Sequence, residues 1–207
     1  MNELSHPDAD KPFTVPPREY FIEKITRLGI GDKGALVGVP VVAPYWASRL
    51  RWQLLYEGFK NIAVLDGGLP KWKEEGRPLS SEAGSYPAAA FSGERKTQMF
   101  VTKEEVFNAI EDESTVLINS LSPADFYGET NTYPRKGHIP GSKNVFFGLH
   151  SNSETKEVLT DEELRKTFEV TGALDSNKRV ITYCGGGIAA TWNALILEKL
   201  GVKNVAV

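Results

Sequence analysis

Apolar positions at helical spacing alternate with short β-branched runs along this chain, and glycines punctuate the changes. Tyr20, Phe21, Ile25 and Leu28 predict a helix over Arg18–Leu28 that ends at Gly29. A strand is expected at Ala35–Val39, a helix at Tyr45–Tyr56 carrying Trp46, Leu50, Leu54 and Leu55, and a strand at Asn61–Leu65. The stretch from Gly76 to Gln98 is rich in Ser, Ala, Gly and Pro and reads as a linker. Thr102-Lys103-Glu104-Glu105 has the spacing of a capping box and opens a helix over Lys103–Ile110. A strand at Thr115–Asn119 follows, and Thr160-Asp161-Glu162-Glu163 caps a helix over Asp161–Val170. Lys178–Tyr183 then reads as a strand, and Ile188–Leu200 as a helix stopped by Gly201. Strands alternating with helices imply parallel α/β layers with each sheet covered on both faces.

The chain repeats itself. Gly58-Phe59-Lys60-Asn61-Ile62-Ala63-Val64 is nearly the same as Gly201-Val202-Lys203-Asn204-Val205-Ala206-Val207, an offset of 143. In that register Glu19 falls on Glu162, Gly29 on Gly172, Asp32 on Asp175, Val37 on Val180 and Ala47 on Ala190. A duplicated domain is the expected organisation: 1–79, a linker at 80–100, and 101–207. By the same alignment the first copy lacks an N-terminal portion and the second lacks its C-terminal end.

Composition narrows the function. The 207 residues are 41% hydrophobic and 25% charged with a net charge of −3, so nothing argues for disorder, nucleic acid or an anionic membrane surface. No apolar run approaches the ~20 residues needed to cross a bilayer. A single cysteine, Cys184, excludes an internal disulfide and any zinc site with two Cys ligands, and fits a reducing, cytoplasmic setting.

That cysteine stands where the strand ending at Tyr183 meets the next helix, followed by Gly185-Gly186-Gly187-Ile188-Ala189-Ala190. Ligands bind at such junctions in parallel α/β proteins. Glycines let the backbone curl and aim several N–H groups at one point, and the helix N-terminus adds partial positive charge. Such surroundings favour the thiolate, the nucleophilic form. Offset 143 places Val41 opposite Cys184, which implies one active and one inactive half. A cysteine-dependent phosphatase needs an Arg six residues after the Cys, and that position is Ala190. A protease needs a His base, and His138, before a Pro-Gly turn, reads better as a turn residue. No Cys-x-x-Cys is present. Sulfane sulfur transfer through a Cys persulfide fits what remains. A redox sensor and a buried structural thiol stay open on residue type alone.

Three segments resemble tandem rhodanese-type sulfurtransferases, the thiosulfate and 3-mercaptopyruvate sulfurtransferase family. They are Val64 to Trp72 with Glu75-Gly76-Arg77-Pro78, then Gly137-His138-Ile139-Pro140-Gly141-Ser142-Lys143-Asn144-Val145, and then Tyr183 to Ala190. The resemblance implies two rhodanese-like α/β domains, the second catalytic. It implies Cys184 as the sulfur carrier and Gly185, Gly186, Gly187, Ile188 and Ala189 as the backbone that binds the anionic sulfur. It further implies a small anionic sulfur donor, cyanide or a thiol as acceptor, and no cofactor or metal. Arg135, with Lys136, is the nearest candidate to grip the donor. The chain departs from the family at Asn119-Ser120-Leu121, where many members carry Asp-x-Arg, and its all-glycine loop indicates neither donor. A non-catalytic rhodanese-like binding module is the competing reading.

Overall fold

The structure is a computed structural model that describes residues 2–34, 36–38 and 44–207. The chain forms two compact units, Met1–Lys96 and Thr97–Val207. Position 41, and the ends of the strand expected at 35–39, lie outside the described residues.

The first unit is built from α1 (Arg18–Arg27), β1 (Leu36–Gly38), α2 (Pro44–Glu57), β2 (Ile62–Val64) and α3 (Gly68–Glu74). Strands β1 and β2 pair in parallel, Leu36 opposite Ile62 and Gly38 opposite Val64. The apolar stripe read from the sequence is the face that packs: Phe21 and Ile25 of α1 meet Leu54 of α2 and Phe59. Each such fully buried side chain stabilises the fold by roughly 1.5–3 kcal/mol. One charge is buried with them. Glu57 is inaccessible to solvent, and Arg18 Nη1 (2.7 Å) and Arg95 Nη2 both donate to its carboxylate. The Ser- and Pro-rich stretch contributes to this unit, since Phe91 stacks on Phe59 with ring centroids 3.7 Å apart.

The second unit contains α4 (Lys103–Ala109), β3 (Thr115–Asn119), α5 (Pro123–Phe126), β4 (Lys143–Asn144), α6 (Asp161–Phe168), β5 (Arg179–Tyr183), α7 (Ile188–Lys199) and β6 (Val205–Ala206). Both capping boxes form: Thr102 with Glu105 opens α4, and Thr160 with Glu163 opens α6. The four strands are parallel in the order β4-β3-β5-β6. Leu117, Ile181 and Ala206 face Ala109 of α4. On the alternate face Thr182 Oγ1 donates to the Ala190 carbonyl of α7 at 3.0 Å. Helix α7 is buried almost all round, as its run of Ala, Ile and Leu demands. This is the α/β arrangement expected, a parallel sheet flanked by helices.

Strand order decides where chemistry can sit. From β3 the chain goes outward to β4, then crosses back to β5 on β3's other side. The carboxyl ends of β3 and β5 therefore flank a topological switch point, the usual crevice for a ligand in an open parallel sheet.

Candidate active site

Asn119 and Tyr183 are paired at the carboxyl ends of β3 and β5, and Cys184 is the next residue. The Ser120 amide donates to the Tyr183 carbonyl at 2.9 Å, so the two chains stay together one step past the sheet. Cys184 is a free thiol on a partly exposed residue. The loop then turns through Gly187 at φ +70°, a left-handed conformation that favours glycine, and α7 begins at Ile188. Twelve residues of helix direct their N-terminal dipole at this loop.

The segment Gly137–Asn144 holds the strand end in place. Ile139 N donates to the Tyr183 hydroxyl at 3.0 Å, and the Ser142 and Tyr183 hydroxyls lie 2.7 Å apart. His138 is tied up elsewhere. Its Nδ1–H donates to the Phe126 carbonyl at 2.8 Å and its ring stacks on Phe126, as expected of a turn residue. Asn144 Nδ2 donates to the Leu121 carbonyl at 2.9 Å, and the Leu121 amide donates to Asn119 Oδ1 at 2.9 Å. Asn119 thus organises the β3 end by hydrogen bonds alone. Ser120 Oγ, fully buried, has no partner among the described residues.

Cys184 leads into a bend over Gly185, Gly186 and Gly187, which runs directly into Ile188 and Ala189, the first residues of α7. Arg135 is exposed on the loop before the Gly137 segment and makes no ion pair among the described residues. The residue of that loop that reaches the cysteine turn is Tyr133, which the sequence reading did not single out. A Cβ built on Gly185 would collide with the Tyr133 hydroxyl and stand 2.6 Å from its Cζ. Nothing in Thr132-Tyr133-Pro134 signals this contact, because it joins residues 52 apart in sequence. Among the described residues no cluster of three His, Cys, Asp or Glu side chains is placed to hold a metal.

A buried histidine packs against α7. His150 Nε2 is 3.0 Å from Asn193 Oδ1, and Asn193 Nδ2 donates to the Val145 carbonyl at 2.8 Å. That leaves Oδ1 as the acceptor, so His150 carries its proton on Nε2. Nδ1 has no partner among the described residues, and burial pushes the imidazole down to about 4.

Residues 102–207 match the Rhodanese family, described as a rhodanese-like domain. The chain belongs to that family. It is 32% identical over 232 positions to thiosulfate/3-mercaptopyruvate sulfurtransferase 2 of Arabidopsis thaliana, covering all of this chain and 67% of the relative. It is 30% identical over 178 positions to the sulfur carrier protein TtuD of Thermus thermophilus, covering 80% of this chain and 62% of that protein. Among solved structures SseA from Escherichia coli, described as a 3-mercaptopyruvate sulfotransferase, superposes with a TM-score of 0.88 at 28% identity, over 99% of this chain and 77% of SseA. The chain therefore spans less than two thirds of TtuD's length. Among the described residues of this rhodanese-family chain no helix is long and apolar enough to cross a membrane.

Proposed function

We propose that this chain is a sulfurtransferase in which Cys184 carries sulfane sulfur from thiosulfate or 3-mercaptopyruvate to cyanide or a thiol. The observation that carries the reading is the place of Cys184. It is the first residue past β5, at the switch point of a parallel sheet, ahead of a glycine turn and the N-terminus of α7. Family membership and relatives named as sulfurtransferases support it.

With thiosulfate as donor, the Cys184 thiolate attacks the outer sulfur and forms an S–S bond. The old S–S bond breaks, and its electron pair leaves with sulfite. Cys184 is then a persulfide anion. Backbone N–H groups from Gly185 to Ala189 and the α7 dipole stabilise that charge in the manner of an oxyanion hole. Cyanide attacks the terminal sulfur, thiocyanate departs, and the thiolate returns. Neither half-reaction requires a cofactor, a metal or an acid–base partner. Arg135 and Lys136 supply positive charge on the loop that approaches the turn, suited to an anionic donor. The first unit is read as the non-catalytic copy of the tandem, with Val41 in the position that corresponds to Cys184. One unpaired thiol suits a reducing compartment such as the cytoplasm.

The test is thiocyanate formation by the purified chain from thiosulfate or 3-mercaptopyruvate plus cyanide. Product from the wild type and none from Cys184→Ser is the expected result. Absence of product from the wild type, or equal product from both, leaves the non-catalytic rhodanese-like module as the correct reading.

A further inference from the structure

The loop from Asn131 to Lys136 contributes one large side chain to the cysteine turn. The Tyr133 ring lies against Gly185, the residue after Cys184, so closely that no Cβ fits between them. Gly185 is not at positive φ, so its lack of a side chain answers to Tyr133 rather than to backbone conformation. The ring is about one-third exposed, with its hydroxyl end turned inward against the turn. Among the described residues that hydroxyl has no hydrogen-bond partner. Partly open to solvent and packed on the residue next to a nucleophilic sulfur, this phenol O–H is free to donate to an anion held on the turn.

We propose that Tyr133 is a catalytic residue of this site, its hydroxyl donating a hydrogen bond to the anionic sulfur on Cys184 in both the thiolate and the persulfide state. The inference rests on the sulfurtransferase reading only for the persulfide; the thiolate half stands by itself. No proton is transferred, because the phenol stays protonated throughout. Two ionisable groups face Tyr133: Cys184 from the β5–α7 turn and Asp125 from α5. Desolvation first, and then these two negative charges, hold the phenol above its ordinary value. Asp125 is itself fixed as a carboxylate by the Ser122 and Thr130 hydroxyls, both at 2.6 Å, which keep it below the usual range. A neutral donor next to a thiolate is the stable combination, whereas a second anion there would be repelled.

The decisive variant is Tyr133→Phe, which keeps the ring on Gly185 and deletes only the O–H. Cys184 is the single cysteine, so the rate of alkylation by iodoacetamide reports on it alone. Measured against pH, the alkylation midpoint is expected to rise by about half a pH unit or more. Thiocyanate formation from thiosulfate and cyanide is expected to fall roughly tenfold, the scale of one hydrogen bond to a charged group. A ring with a purely structural role would leave the midpoint where it is. An unchanged midpoint overturns the proposal whatever the turnover. Should the wild type make no thiocyanate, the sulfurtransferase reading falls, and the alkylation midpoint still decides whether Tyr133 faces the thiolate.

Discussion

The hydroxyls of Tyr183 and Ser142 lie 2.7 Å apart, and the direction of the bond between them is fixed by their other partners. Ser142 Oγ donates to the Ile139 carbonyl at 2.7 Å, so it must accept from Tyr183. Tyr183 Oη in turn accepts the Ile139 amide at 3.0 Å. This closed cycle joins the residue before Cys184 to the Gly137 segment.

Tyr183→Phe breaks the cycle at two bonds: the Ile139 amide loses its acceptor, and Ser142 Oγ keeps only its bond to the Ile139 carbonyl. A loss of about 1–3 kcal/mol is expected, since half-satisfied buried groups cost more than the bond itself. Urea unfolding measures the loss. Thiocyanate turnover should fall as well, because the strand end that presents Cys184 is no longer held.

Gly187 is at φ +70° and Gly201 at φ +93°, at opposite ends of α7. Replacing either with Ala forces a Cβ into left-handed backbone, a penalty of roughly 1–2 kcal/mol. Thermal unfolding should record a comparable decrease for both variants. Turnover should drop only for Gly187→Ala, which distorts the cysteine turn; equal activity in the two variants would mean the turn's shape is irrelevant.

His150 makes stability depend on pH in a defined direction. The fold holds the imidazole neutral, with its pKa lowered to about 4 by burial. In the unfolded chain the pKa is about 6.5. Below about 6.5 the unfolded state binds a proton that the native state refuses, so stability is complete above that value and falls with falling pH until about 4. The loss over that window is about 3 kcal/mol at 1.36 kcal/mol per unit. Denaturant midpoints recorded from neutral to acid pH check the slope. His150→Phe should flatten it, at some cost in neutral stability because Asn193 Oδ1 loses its donor.

Long elements were legible in the sequence, and short or non-local ones were not. The boxes Thr102–Glu105 and Thr160–Glu163 announced α4 and α6, and Gly29 and Gly201 marked the ends of α1 and α7, because caps are local chemistry. Strand β3 came out residue for residue. Strands β4 and β6 have two residues each, too few to show any period, and exist only through their partners β3 and β5. Helix α3 starts at Gly68 and carries Pro70 in its first turn, and α5 has four residues; no helical period marks either. The cysteine turn could be placed from its strand–glycine–helix pattern. Tyr133 could not, because its contact with Gly185 depends on how a loop folds back. His150, in Gly148-Leu149-His150-Ser151-Asn152, sits in no apolar period that would signal its full burial against Phe168 and Asn193.

Glu57 bears on any attempt to dissect the chain. Its carboxylate is compensated by Arg18 from α1 and by Arg95, near the end of the Ser- and Pro-rich stretch. A cut earlier in that stretch, where a flexible tether would ordinarily invite one, would strip Arg95 from the N-terminal piece and leave a buried carboxylate with Arg18 as its one charged partner among the described residues. Truncation there trades a tidy boundary on paper for a fragment with an electrical defect at its centre, and the scissors belong after Lys96.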